Sequence, residues 1–128
     1  MKLKRGFTLI ELLIVIVIMG ILAAIVVGLV ATNSRNRAND VTKKADMREI
    51  QTALEQYFVD NDHYPAQLSD LTVAPAYIKA VPTSPDASTY TYDVTGNDPL
   101  TYSLHVQLKN TKDKQANSSG VYTLTEKQ

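Results

Sequence analysis

The 128-residue sequence has no cysteine and only two histidines, His63 and His105. Without cysteine there is neither a disulfide nor thiol chemistry, so any folded domain must be held by packing alone. No G-x-S-x-G elbow occurs, and no His/Cys/Asp spacing matches a zinc or nucleophile site, so the sequence offers no basis for an enzyme and calls for no cofactor or metal. Excess charge is missing too, with 13 basic residues against 13 acidic ones. Lys2, Lys4 and Arg5 fall in the first six residues, and the remainder carries ten bases against thirteen acids, a formal charge of −3. That balance gives no electrostatic footprint for nucleic acid.

What the sequence does have is a long apolar run, KRGFTLIELLIVIVIMGILAAIVVGLVA, behind a short basic leader. Leu12 to Ala31 is uninterrupted for 20 residues. A helix of that length spans roughly 30 Å, the thickness of a bilayer's hydrocarbon core. The bases of residues 1–6 keep the N-terminus cytoplasmic and send the rest of the chain outward. A cleavable secretory signal could be forced onto Ala23-Ala24, but the run continues to Ala31, so a retained anchor is the better reading. Glu11 fits neither. Thr8-Leu9-Ile10-Glu11 has the capping-box pattern, in which both residues satisfy free N–H groups at a helix start. Further along, Gly20, Ala24 and Gly28 recur every four residues and put three small side chains on one helical face, where a partner helix can approach closely.

Leader, glycine, aromatic, acid and apolar run occur in the order that resembles the N-terminus of type IV pilins and the related pseudopilins of type II secretion. The resemblance implies cleavage between Gly6 and Phe7 by a membrane-embedded prepilin peptidase, which also methylates the new amine of Phe7. It implies that Glu11 pairs with the N-terminal amine of Phe7 on a neighbouring subunit as helices gather into a filament core. A lone carboxylate in apolar surroundings costs several kcal/mol, which an adjacent amine offsets. The competing reading places Glu11 at the headgroup boundary, about 6 Å along the helix from Phe7. Many members have proline where this chain has Gly28; glycine weakens a helix by about 1 kcal/mol but keeps its N–H, so melting between Gly20 and Gly28 is permitted, not imposed.

Residues 32–58 contain neither proline nor glycine. Met47, Ile50, Leu54 and Tyr57 follow at helical spacing, with Val41, Ala45 and Ala53 nearby, so the helix is expected to continue as an amphipathic arm to about Val59. Lys43, Lys44, Asp46, Arg48, Glu49 and Glu55 form its expected solvated face. DNDHYP ends the helix. Asp60 and Asp62 begin like an EF-hand, but Tyr64 and Pro65 stand where a ligand and glycine belong. Some pseudopilins bind calcium in a later loop; Asp98 and Asp113 leave room for that, yet no ligand spacing supports it.

A connecting segment from Pro65 to Pro85 brings Leu68, Leu71, Tyr77, Ile78 and Val81 to cover the helix. Strands are expected over Tyr90–Val94, Leu100–Leu108 and Val121–Thr125, with GNDP turning the first pair and a polar loop before the third. His105 falls on the polar face, opposite Leu104 and Val106. Asn117-Ser118-Ser119 matches a glycosylation acceptor, which marks an exposed loop.

The expected fold is α+β: a long N-terminal helix, transmembrane then amphipathic, packed on a small antiparallel C-terminal sheet. The expected organisation is a leader at 1–6, an assembly helix at 7–31 and an exported domain at 32–128. The sequence reads first as a type IV pilus subunit polymerising into an extracellular filament, and alternatively as the major pseudopilin of a periplasmic type II secretion pseudopilus. A membrane-tethered binding module using Tyr90 or Tyr92 is the reading from another class. Implied partners are copies of the chain itself, the membrane, prepilin peptidase, an assembly ATPase and a membrane platform protein.

Overall fold

The computed structural model describes residues 6–96 and 99–126, and only the backbone of Leu29. The basic leader residues 2–5 and the centre of the GNDP turn, including Asp98, lie outside the described residues. One helix, α1, runs Leu9–Asn61. It ends where Asp62 takes φ 61°, the left-handed conformation that closes helices, with the Asp62 amide donating to the Phe58 carbonyl at 2.8 Å. The chain divides into two compact units, residues 1–35 and 36–128.

In the first unit, α1 is continuous through Gly20, Ala24 and Gly28 and long and apolar enough to cross a membrane by length and composition. Every described residue from 6 to 35 is exposed. Among the described residues nothing covers this apolar surface, which in water would be strongly unfavourable.

The second unit is built from the rest of α1, a short 3-10 helix at Leu68–Thr72, and three strands, β1 (Thr91–Val94), β2 (Tyr102–Gln107) and β3 (Val121–Thr125). The sheet is antiparallel throughout in the order β1-β2-β3. Register places Tyr92 opposite Leu104, Leu104 opposite Leu124, and Val106 opposite Tyr122. Because side chains alternate along a strand, Tyr92, Val94, Tyr102, Leu104, Val106, Tyr122 and Leu124 share the inner face. They pack with Met47, Ile50, Ala53 and Leu54 of α1 and with Tyr64, Leu71 and Ile78 of the connecting segment in one core. The fold is the expected α+β arrangement.

Four details depart from expectation. Leu100 is not part of β2 and is 66% exposed, because the strand begins only at Tyr102. The connecting segment contains a 3-10 turn, closed by Asp70 accepting from the Gln67 amide at 3.3 Å. Val81 is only partly buried and stands outside the core. Most consequentially, Val41 and Ala45 face solvent while Asp40 and Lys43 are buried, Lys43 completely. The supposed solvated face is therefore only partly so: Arg48 and Glu49 are exposed, whereas Lys44, Asp46 and Glu55 are half-buried.

Candidate functional site: the helix start and its supporting domain

At the helix start, Thr8 is the N-cap and Glu11 stands three residues on. The Glu11 Oε2 accepts from the Thr8 amide at 3.0 Å and from the Thr8 hydroxyl at 2.8 Å, while the Thr8 Oγ1 accepts from the Glu11 amide at 3.3 Å. The reciprocal capping box forms in full, satisfying two amides that the first turn leaves without partners. It also holds the carboxylate one residue from the Phe7 peptide unit. Phe7 is 81% exposed, and Gly6 has open space where a Cβ would stand. Among the described residues no contact requires glycine at position 6.

Gly20, Ala24 and Gly28 lie on one face of the continuous helix. A Cβ added at Gly20 or Gly28 would meet nothing within 4 Å, so no described residue uses the space they leave. The Thr32 hydroxyl donates to the Gly28 carbonyl at 3.1 Å, a back-bond that often accompanies slight helix bending. The structure brings Thr8 and Glu11 together beside Phe7; among the described residues it pairs the small-residue stripe with nothing.

Sequence reasoning missed the polar groups that fasten the arm to the sheet domain. The Lys43 ammonium donates to Asp86 Oδ2 and to the Gln107 carbonyl, each at 2.8 Å, and lies 4.0 Å from Asp40. Asp86 also accepts from the Ser84 and Ser88 hydroxyls at 2.8 Å, and the Lys43 bond, aided by those hydroxyls, holds its carboxyl well below the usual carboxylate range. Asp40 accepts from the Lys109 and Asn110 amides at 2.8 Å each. Further along, Asp46 accepts from the Tyr90 hydroxyl at 2.6 Å, and Glu55 accepts from Tyr64 and Tyr102 at 3.2 and 3.3 Å. Burial, followed by the Glu55 charge, pushes the Tyr64 phenol up to about 12. Among the described residues no buried side-chain polar atom lacks a hydrogen-bond partner. A signal was present: Asp40 and Lys43 lie seven and four residues before Met47, in phase with Ile50 and Leu54, but a search for apolar periodicity passes over charged residues.

Each histidine has its own surroundings. His63 Nδ1 lies 2.8 Å from its neighbour Asn61's carbonyl, and His105 Nδ1 lies 3.5 Å from Asp93 on the sheet's outer face. Tyr90 and Tyr92, the contacts expected of a binding module, are instead half-buried against the core, with Tyr92 donating to the Pro65 carbonyl at 2.8 Å.

Two family models match the chain: the prokaryotic N-terminal methylation motif over residues 1–27, and type II secretion system protein G over residues 31–123. The chain belongs to the type II secretion system protein G family. It is 35% identical over 102 residues to the type II secretion system core protein G of Escherichia coli, covering 68% of this chain and 70% of that one. The protein of the same name from Pseudomonas aeruginosa is 36% identical over 104 residues, 70% of this chain and 72% of the relative. That from Vibrio cholerae is 33% identical over 106 residues, 72% of each. Comparison with solved structures gave no match. Of the two filament readings, these relatives favour the pseudopilin; the pilus subunit names only the broader family.

Proposed function

We propose that this protein G family member is the structural subunit of a type II secretion pseudopilus, not a catalyst. The chain inserts by its apolar helix with residues 1–6 in the cytoplasm. Prepilin peptidase cuts between Gly6 and Phe7 and methylates the Phe7 amine. The processed chain then leaves the bilayer to join a helical homopolymer in the periplasm, driven by an assembly ATPase through a membrane platform protein. Within the filament, Glu11 faces the Phe7 amine of a neighbour and sets the register between subunits, while Gly20, Ala24 and Gly28 let apolar helices approach.

The observation that carries this reading is the placement of Glu11. It is the sole acid between Phe7 and Ala31, and the capping box aims it at the segment that becomes the new terminus after cleavage. Once Phe7 is the first residue, Thr8 and Glu11 still cap the helix, so cleavage leaves the helix start intact. A carboxylate there is costly in an apolar core unless a cation meets it, and the same processing step generates that cation. The unpartnered apolar surface of residues 9–30 and the family match support a buried, many-chained destination for this helix.

The test is the intact mass of the protein purified from its native membrane. The expected product starts at Phe7 and is heavier by one methyl group. A chain still starting at Met1, or cut after Ala24, would overturn both the processing and the role of Glu11.

A further inference from the structure

The β2–β3 connection, residues 108–120, is the longer of the two connections between strands, and it has no disulfide to close it. Two side chains of α1, one turn apart, hold it instead. Asp40 takes the Lys109 and Asn110 amides at 2.8 Å each, fixing the start of the loop. Lys44 reaches the middle, with its ammonium 2.7 Å from Asp113 Oδ1, 2.9 Å from Gln115 Oε1 and 5.4 Å above the Tyr122 ring. Both partners of the Lys44–Asp113 pair are largely shielded, with side chains 15% and 20% exposed. The end of the loop is tied by Gln107 donating to the Ser119 carbonyl at 3.0 Å and by the Leu108 amide donating to Gly120 at 2.9 Å.

The resemblance to pseudopilins raises calcium as an alternative closure, and the residues here do not fit it. A calcium ion takes six to eight oxygens, several of them carboxylate. This loop carries three lysines, Lys109, Lys112 and Lys114, against one acid, Asp113. That acid is already engaged: Oδ1 accepts from Lys44 and from the Gln115 amide at 2.9 Å. The Asn117 side-chain oxygen is taken by the Ser119 and Val121 amides at 3.0 and 2.9 Å. A dication bound to Asp113 would stand against the Lys44 ammonium, where like charges repel. Among the described residues no three of His, Cys, Asp or Glu converge as metal ligands.

We propose that in this protein the Lys44 ammonium, together with Asp40, closes the 108–120 loop, and that the domain holds this loop without a divalent cation. The loop is locked by charges built into the amphipathic arm of α1. Its order therefore forms with the fold and does not follow the calcium level of the compartment.

The experiment is limited trypsin cleavage of the full chain in detergent micelles, mapped at Lys109, Lys112 and Lys114, with calcium chloride or a chelator present. Cleavage of the wild type is expected at the same rate in both. Lys44→Ala is expected to be cut in the loop roughly three- to tenfold faster, as loss of a partly shielded ion pair opens the segment more often. Lys44→Arg restores slow cleavage, and Asp113→Asn is cut as fast as Lys44→Ala. Saturable protection of the wild type by calcium, abolished in Asp113→Asn, would overturn the proposal, as would wild-type cleavage rates in Lys44→Ala. Should Lys44→Ala fail to fold, the wild-type comparison between calcium and chelator still decides.

Discussion

Lys43→Met is the sharpest test of how the arm holds the sheet domain. Methionine keeps most of the aliphatic stem but removes the ammonium, so packing against the core changes little while two acceptors, Asp86 and the Gln107 carbonyl, lose their donor. The lysine side chain is 0% exposed and that of Asp86 is 11% exposed, so water cannot readily replace the lost charge. Removing one partner of a buried pair costs about 3–5 kcal/mol. Here Ser84, Ser88 and the Lys109 ammonium, 3.8 Å away, still serve Asp86, which favours the lower end, about 3 kcal/mol. For a domain of this size that corresponds to a fall in melting temperature of roughly 12–24 °C. The assay is thermal unfolding of the processed chain in micelles, followed by near-ultraviolet circular dichroism of the domain tyrosines. Adding Asp86→Asn to Lys43→Met should recover part of the loss, because the stranded charge goes too. A loss below about 1 kcal/mol, the worth of an exposed pair, would refute the reasoning.

Three further outcomes are expected. Glu11→Ala should leave membrane insertion and leader cleavage intact, as judged by fractionation and intact mass, yet yield no filaments by electron microscopy; normal filaments would remove the pairing role. Asp86 and Asp113 have folded-state pKa values below their unfolded ones, so the unfolded chain takes up protons first and stability falls with pH below the unfolded value of about 4. Urea midpoints compared at about pH 6 and about pH 3 should show that loss, and Lys43→Met should shrink it. Gly120 has φ 79°, and an added Cβ would lie 3.1 Å from the Thr111 Cγ2 and 3.2 Å from the Thr111 Cα, so Gly120→Ala should cost about 2 kcal/mol in urea unfolding.

Local chemistry made much of this protein legible. The apolar run and the Thr8–Glu11 cap depend on residues within a few positions of each other, so they are legible without knowledge of the fold. The same holds for the end of α1 at Asn61, where the turn-forming Asp62 and then Pro65 follow, and for β3, whose limits at Val121 and Thr125 matched the alternating pattern. Met47, Ile50 and Leu54 announced the buried face of the arm through helical spacing alone.

What only the tertiary structure decided concerns residues whose partners lie far along the chain. Lys43 looks like a solvated lysine until folding brings Asp86, 43 residues on, and Gln107, 64 residues on, into reach. Asp40 becomes a backbone acceptor only because β2 ends beside it, and Lys44 a loop clamp only because Asp113 arrives there. Charged residues carry no hydrophobic periodicity, and the direction in which a charge faces is set by the neighbour that compensates its desolvation. The sequence by itself determined the apolar run, the helix start and the apolar frame, where solvent preference acts residue by residue; the tertiary structure decided which charges are buried, because burial of a charge is a property of the pair.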